Sequence, residues 1–168
     1  MKSLRRYYVE GGSYFFTLVS HNRRPIFCDT AFRAALRSSI EHVREQHPFC
    51  IVAWVLLPDH LHCIWSLPQD DAKYSIRWSL IKRSVSFQLR DSDWFRETGQ
   101  LWQNRFREHY IRDEADLEKH FDYVHFNPVK HDFVENPVDW EWSTYHQYAK
   151  IGYYTDIKGP KDVDMDRE

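Results

Sequence analysis

The spacing of hydrophobic and polar residues along the chain predicts several short strands. An aromatic and β-branched run at residues 14–20 is typical of a strand. Two further apolar runs, residues 49–57 and residues 60–67, are separated only by a Pro-Asp pair. This arrangement predicts two adjacent strands joined by a tight turn. A fourth strand is expected near residues 109–112.

Three stretches show the three- and four-residue spacing of amphipathic helices. The first begins at Asp29 or Thr30, either of which can cap a helix, and ends before Pro48. The second covers residues 72–89, where basic residues lie beside the apolar stripe, so a basic amphipathic helix is expected. The third covers residues 114–127 and ends where a proline follows.

The predicted order is strand, helix, strand, strand, helix, strand, helix, which indicates an α+β domain. We expect a ferredoxin-like antiparallel sheet with helices packed on one face. Residues 129–154, which are rich in Trp and Tyr, are expected to fold back over the core. Residues 1–154 then form a single domain, and the charged residues 155–168 form a C-terminal tail that is expected to be flexible.

The composition is that of a folded globular domain: of 168 residues, 42% are hydrophobic and 29% are charged. The three cysteines form no CxxC pair, and their odd number argues against a disulfide framework. No apolar run approaches the ~20 residues of a membrane span, and none of the length that a signal peptide requires follows the basic N-terminus. A cytoplasmic location without a membrane partner is therefore predicted.

The charge of the chain is unevenly divided. Its net value of −2 argues against a uniformly basic protein. However, basic residues outnumber acidic ones in residues 1–24 and residues 73–112, whereas residues 113–141 are strongly acidic. In the two basic segments the cations alternate with aromatic rings. Proteins that bind single-stranded nucleic acids use this combination, with the cations contacting phosphates and the rings stacking on bases. Solvated surface charges are the alternative explanation.

Two histidines in the second of the adjacent apolar runs suggest a metal site. On a strand His60 and His62 project from the same face, because side chains alternate, so their imidazoles could share one cation. The signal alone is weak, since a chain with 10 histidines readily contains such a spacing by chance. Two surface histidines are the alternative, and a catalytic metal would need further ligands.

The third predicted helix places Tyr123 and Asn127 one turn apart on a common face. Asp116 and His120 precede them in the same row. Because Pro128 disfavours helix at the residue before it, the Asn127 amide is expected near the helix end. Spacing alone favours a tyrosine at the edge of the core and an asparagine that caps the helix.

Several ordered segments carry a more specific combination of motifs. They are LPDHLHCIW at residues 57–65, LWQNRFREH at residues 101–109 and DYVHFNPVKH at residues 122–131. Together with the N-terminal RRYY and the DWEWSTYH of residues 139–146, they resemble the REP-associated tyrosine transposases, which belong to the single-tyrosine, HUH-type single-strand transposases. Two positions differ, because Asp132 and Glu141 stand where this family commonly has Gly and Pro.

The resemblance implies a role for each candidate residue. His60 and His62 would be metal ligands, and Asn127 would supply an amide ligand to the same ion. Tyr123 would be the nucleophile. The implied cofactor is Mg²⁺ or Mn²⁺. Residues 1–154 would be a single HUH transposase-type domain.

The resemblance also implies the activity. The protein would be a sequence- and hairpin-specific single-stranded DNA endonuclease and strand transferase that acts on repetitive extragenic palindrome DNA through a 5′-phosphotyrosine intermediate. Its partner would be single-stranded or hairpin DNA, and it would be a monomer or a homodimer. Two alternatives are a catalytically silent DNA hairpin-binding regulator on the same fold and a metal-dependent hydrolase.

The residues predicted to contact the DNA come from the two basic segments. Phosphate contacts are predicted for Arg5, Arg6, Arg77, Lys82, Arg83 and Arg105. Stacking with unpaired bases is predicted for Trp102 and Phe106. For each of these side chains, a solvated or a core position is the alternative.

Overall fold

The computed structural model describes residues 6–154, and within them four strands form one antiparallel sheet. The strands are β1 (Ser13–Val19), β2 (Cys50–Leu56), β3 (His60–Ser66) and β4 (Arg107–Tyr110), and their order in the sheet is β2-β3-β1-β4. The helices are α1 (Thr30–Gln46), α2 (Tyr74–Gln88), α3 (Asp93–Thr98), α4 (Glu114–Lys130) and α5 (Tyr145–Lys150). Arg5 and residues 155–168 lie outside the described residues. None of the helices within residues 6–154 is both long and apolar enough to cross a membrane.

The strand order and the connections β1-α1-β2 and β3-α2-β4 confirm the predicted ferredoxin-like α+β fold. Asp29 caps α1, because its Oδ1 atom accepts hydrogen bonds from the backbone N–H groups of Ala31 and Phe32. The short turn after β2 makes β3 its neighbour, and β3 also pairs with β1, so β3 lies inside the sheet. The assignment of residues 1–154 to one domain stays a prediction.

Helices cover both faces of the sheet, so the prediction that they share one face is wrong for α4. On one face α1 and α2 pack against Phe16, Leu61 and Trp65. On the other face α4 packs against Phe15 and Ile64. The reason is that β1 and β3 carry apolar residues on both sides, so each face needs a layer that excludes water.

The buried side of α2 differs from the predicted stripe. The helical spacing predicts Ile76 in the core, but this side chain is 47% exposed, whereas Tyr74, Arg77 and Trp78 are buried. The Trp78 ring stacks on Trp65 of β3, with the ring centroids 4.0 Å apart. Burial of these two large rings outweighs burial of one isoleucine and sets the rotation of the helix.

The end of α4 also differs from the prediction, because the helix continues through Pro128 to Lys130. Pro128 lies in the last turn, where the loss of its N–H removes only one backbone hydrogen bond. The helix then ends in a Schellman motif: the N–H group of Phe133 donates to the Pro128 carbonyl oxygen over 3.0 Å, and Asp132 has a left-handed φ of 57°. Asp adopts this conformation more readily than most residues, so it can replace the Gly that the resembling family commonly has.

Residues 129–154 fold back over the core, as predicted, and cover the outer edge of β2. The N–H group of Thr144 donates to the Trp54 carbonyl oxygen over 2.9 Å. The indole N–H of Trp140 donates to the Leu56 carbonyl oxygen over 3.0 Å. These bonds satisfy backbone groups of a strand edge that would otherwise be open to pairing.

His125, a residue of α4, is buried under this C-terminal segment. Its Nδ1 atom lies 2.7 Å from the Tyr154 hydroxyl oxygen, and its Nε2 atom lies 2.8 Å from Thr144 Oγ1. Burial lowers the pKa of His125 to about 3. The folded protein therefore holds the neutral imidazole at pH values where the unfolded chain, with a histidine pKa of about 6.5, takes up a proton.

We predict that His125 makes the fold less stable in acid. Between about pH 6.5 and about pH 3 the unfolded chain binds more protons at this position than the folded chain, so the free energy of unfolding falls as the pH is lowered. From pH 7 to pH 5 this loss is about 2 kcal/mol. Urea unfolding at both pH values should show a smaller loss in His125→Gln than in the wild type. An equal loss in both proteins would contradict the assignment.

Candidate active site

His60 and His62, the histidine pair, lie side by side on β3, on the face of the sheet that α4 covers. They pair in register with Val19 and Thr17 of β1. Their imidazole centroids are 5.0 Å apart, and both side chains are buried. The structure therefore brings the two predicted metal ligands together on one face, as the alternation of side chains along a strand requires.

Each imidazole of the histidine pair is held through its Nδ1 atom. The Nδ1 atom of His60 lies 2.6 Å from Asp59 Oδ1, and Arg23 donates to the other carboxylate oxygen over 3.1 Å. The Nδ1 atom of His62 lies 2.9 Å from Thr17 Oγ1. A carboxylate or hydroxyl at Nδ1 orients the ring and makes Nε2 the nitrogen that would coordinate a metal.

The surroundings of His62 favour the protonation state that metal binding needs. Burial lowers the pKa of His62 well below its ordinary value, and nearby positive charges, including those of Lys130 and Arg23, lower it further. His62 is therefore neutral near pH 7, which is the form that binds metals. Burial alone would raise the pKa of Asp59, but its bonds to His60 and Arg23 outweigh burial and lower that pKa.

Tyr123 of α4 lies against the histidine pair. Its ring centroid is 5.1 Å from that of His62 and 5.8 Å from that of Phe15. The Tyr123 side chain is only 2% exposed. The helix therefore brings the predicted nucleophile to the same face of the sheet as the histidines.

Asn127 lies one helical turn beyond Tyr123 and is fully buried. Within residues 6–154, neither its Oδ1 atom nor its Nδ2 atom has a hydrogen-bond partner. A buried polar group left unsatisfied costs roughly 1–3 kcal/mol, so such a group in a native protein indicates a polar partner that the fold itself does not supply. A divalent ion bound through Oδ1 would supply that partner, so the residues present fit a metal.

Lys130 and His131, at the end of α4, were not among the predicted site residues. The Nζ atom of Lys130 lies 4.9 Å from the centroid of the Tyr123 ring. The His131 ring centroid lies 5.1 Å from that of His60. Tyr123, Asn127 and Lys130 follow the i, i+4, i+7 spacing of one helical face, and this spacing is the signal that identifies Lys130.

The chain is similar in sequence to known transposases over most of its length. Residues 8–127 match the family model described as "Transposase IS200 like". A REP-associated tyrosine transposase of Escherichia coli (strain K12) is 42% identical over 154 residues, which are 92% of this chain and 88% of that protein. The chain belongs to the REP-associated tyrosine transposases of the IS200-like family. It is therefore an enzyme that acts on DNA.

Two further relatives support the REP-associated transposase family. A Haemophilus influenzae protein is 38% identical over 167 residues, which are 95% of this chain and 94% of its own. A solved structure of a REP-associated tyrosine transposase bound to a REP hairpin has a TM-score of 0.83 and 39% sequence identity. The match covers 98% of this chain and 94% of that chain, so the fold is shared over nearly the whole length.

A second cluster of metal-binding residue types lies at the start of α4. Ligand atoms of His109, Asp116 and His120 lie within 4.8 Å of one another. Asp116 already accepts hydrogen bonds from His109 Nε2 and Arg112 Nε, each over 2.9 Å. Burial alone would raise the pKa of Asp116, but these bonds outweigh burial and hold its pKa well below the usual range. Because the guanidinium charge opposes a further cation, we interpret this cluster as an ion-pair network that anchors α4 to β4.

Arg77 is buried in the structure, so the prediction that it binds phosphate is wrong. Its side chain is 1% exposed, and its guanidinium donates to the Asp71 carboxylate over 2.8 and 3.1 Å. It also donates to the carbonyl oxygens of His47 and Pro48, over 3.1 and 2.8 Å. A buried guanidinium needs partners for its donors, and the end of α1 and the loop before α2 supply them.

Of the two aromatic residues predicted to stack on bases, Trp102 is buried in the core, so the prediction is wrong for this residue. Trp102 is 6% exposed and lies against the rings of Phe27 and Phe32. Phe106 is half-buried against the core, and the Arg6 guanidinium covers it, 4.6 Å from the ring centroid. Stacking of Phe106 on a base stays a prediction.

The other predicted phosphate contacts differ in exposure. Arg83 and Arg105 are exposed. Lys82 is half-buried, and its Nζ atom donates to the Gln103 carbonyl oxygen over 2.8 Å. Arg6 is half-buried. Contact of these four residues with DNA stays a prediction.

Arg77→Ala should lower the free energy of unfolding by about 3 kcal/mol, because it leaves the Asp71 carboxylate and two carbonyl oxygens without their donor. The matched control Arg83→Ala removes the same charge from the exposed side of α2 and should change stability by less than about 0.5 kcal/mol. Urea unfolding of both variants measures the difference. Equal stability of the two variants would show that the fold does not need Arg77.

Asn127→Ala should weaken Mn²⁺ binding by at least about 10-fold, because it removes the amide oxygen proposed as a ligand. The fold should be no less stable, since the unsatisfied buried amide is removed with it. Titration calorimetry with Mn²⁺ and urea unfolding without metal measure the two effects. Asn104→Ala, at an exposed asparagine, is the control and should change neither. Unchanged Mn²⁺ affinity in Asn127→Ala would contradict the ligand role.

Proposed function

We propose that this protein is a sequence- and hairpin-specific single-stranded DNA endonuclease and strand transferase. Its membership of the REP-associated tyrosine transposases supports action on DNA. Its structural relative is described as bound to a REP hairpin, which supports repetitive extragenic palindrome DNA as the substrate. The reaction proceeds through a 5′-phosphotyrosine intermediate and uses Mg²⁺ or Mn²⁺.

The observation that carries this proposal is the contact of Tyr123 with the histidine pair. The Tyr123 and His62 ring centroids are 5.1 Å apart, and the buried Asn127 amide lies one turn further along α4. Phosphoryl transfer to a tyrosine needs a nucleophile and a cation that act on the same phosphate. This face of the sheet holds Tyr123 as the candidate nucleophile. For the cation it holds the histidine pair and Asn127 as candidate ligands.

In the proposed reaction, the Tyr123 hydroxyl oxygen attacks the phosphorus of one backbone phosphate. The bond from this phosphorus to the 3′ oxygen breaks, so the 5′ phosphate becomes joined to the tyrosine and a 3′-OH is released. The phosphodiester is exchanged for a phosphotyrosine ester without hydrolysis. A second 3′-OH can therefore reverse the step without ATP, and nicking and rejoining are one reaction run in two directions.

Residues around Tyr123 hold the reacting groups in place. His60, His62 and Asn127 would hold the divalent ion, which when bound neutralises charge on the non-bridging phosphate oxygens. Asp59 fixes the orientation of the His60 imidazole through its Nδ1 atom. The Thr17 hydroxyl does the same for the His62 imidazole. The chain thus keeps its ligands aligned before the substrate arrives.

Lys130 supports the nucleophile. A free tyrosine has a pKa near 10, so its phenol is a weak nucleophile at neutral pH. The Lys130 ammonium lies over the Tyr123 ring, 4.9 Å from its centroid. A positive charge at this distance attracts the phosphate that Tyr123 would attack.

Tyr123→Phe should abolish the covalent protein–DNA adduct, because the attacking oxygen is absent, while binding of the hairpin stays within a few fold. The measurement uses labelled REP hairpin DNA with a single-stranded flank and Mn²⁺, resolved on a denaturing gel. Tyr153→Phe, at a tyrosine that is 51% exposed on the C-terminal segment, is the matched control and should keep the adduct.

The same assay separates the proposed function from its alternatives. An adduct that persists in Tyr123→Phe would exclude this nucleophile. A wild-type protein that binds the hairpin but never forms an adduct would be the catalytically silent regulator. Cleavage without any covalent species would indicate a metal-dependent hydrolase.

A further inference from the structure

Arg107 lies in the same cross-strand row as His62. Thr17 of β1 pairs with His62 of β3 on one side and with Arg107 of β4 on the other. Residues that pair in this way in an antiparallel sheet project to the same face. Neighbouring strands lie about 4.8 Å apart, so the backbones of Arg107 and His62 are about 10 Å apart on the face that holds the candidate active site.

This part of the face is accessible from the side of the sheet. α4 packs over β2 and β3, and it bonds to β4 through Asp116 and His109 rather than through Arg107. β4 is at the end of the strand order, and no described strand lies beyond it. Arg107 is exposed, and within residues 6–154 its side chain makes no ion pair or hydrogen bond. A DNA single strand that crosses the β4 edge toward the histidine pair therefore passes the Arg107 guanidinium.

Two acidic side chains around β4 are occupied by other arginines and do not neutralise Arg107. Glu108 projects to the opposite face, as strand alternation requires, and lies 3.6 Å from Arg6. Asp116 is on the same face as Arg107, but Arg112 donates to its carboxylate over 2.9 Å. Arg107 therefore adds an uncompensated positive charge beside the candidate active site, and such a charge attracts phosphate.

We propose that Arg107 binds a backbone phosphate of the single strand that enters the candidate active site across the β4 edge. This inference rests on the proposed strand-transfer function. A guanidinium suits the contact, because its planar fork donates two parallel hydrogen bonds to one phosphate. The contact holds the DNA strand in one position on the protein, so that a neighbouring phosphate of the DNA lies at Tyr123 and the histidine pair.

The first experiment measures binding in the Tyr123→Phe background, where no adduct forms, with a labelled REP hairpin that carries a single-stranded flank. Arg107→Gln should weaken binding about 10-fold. It should also reduce the slope of log affinity against log salt by about 0.7, the value for one phosphate contact on a single strand. Arg37→Gln removes an exposed arginine from α1, on the opposite face of the sheet, and should change neither quantity.

The second experiment locates the contact along the DNA. Each phosphate of the single-stranded flank is replaced in turn by a neutral methylphosphonate. At the contacted phosphate this replacement should weaken binding about 10-fold when Arg107 is present and should have no further effect in Arg107→Gln, because both changes remove one interaction. Additive losses at every phosphate, or an unchanged salt slope in Arg107→Gln, would overturn the proposal.

Failure of this inference is distinguishable from failure of the proposed function. The wild-type adduct assay tests strand transfer alone. A wild-type adduct together with unaltered DNA binding by Arg107→Gln would overturn only the role of Arg107. Absence of the adduct, together with weaker binding and a shallower salt slope in Arg107→Gln, would overturn strand transfer and support the phosphate contact.

Discussion

The burial of two imidazoles in the middle of the sheet is the constraint on which the candidate active site depends. β3 pairs with a strand on each side and is covered on both faces, so the histidine pair lies where unsatisfied polar groups are costly. Asp59 and Thr17 satisfy the Nδ1 atoms of the two rings. The same bonds fix the ring orientations, so a requirement of the fold also orients the proposed metal ligands.

α4 is bonded to β4 near its start and capped at its end, and it carries two of the proposed site residues. Near its start Asp116 bonds to His109 of β4, and at its end the left-handed Asp132 closes a Schellman motif. Between these two points Tyr123 contacts the histidine pair, and Asn127 is buried one turn later. With the proposed nucleophile and the proposed amide ligand on one helix, little further ordering would be needed before reaction, which lowers the entropic cost of alignment.

The aromatic and basic residues serve the fold more than the composition suggests. Trp65 and Trp78 stack with their ring centroids 4.0 Å apart, so rings that would suit nucleobases fill the core instead. Arg77 connects α2 to the end of α1 from the inside, whereas Arg107 stands at an open strand edge. A chain of nearly neutral total charge can therefore still present a local positive charge beside its candidate active site.

The sequence by itself determined the order of the four strands and of α1, α2 and α4, the shared face of the histidine pair, and the common helical face of Tyr123 and Asn127. These features follow from repeats of two and 3.6 residues, which depend only on local backbone geometry. Only the tertiary structure decided that α4 covers the second face of the sheet, that Arg77 points inward, and that Arg107 joins the row of His62. Strand order and helix rotation decide these points through contacts between residues far apart in the chain, and no local repeat encodes such contacts.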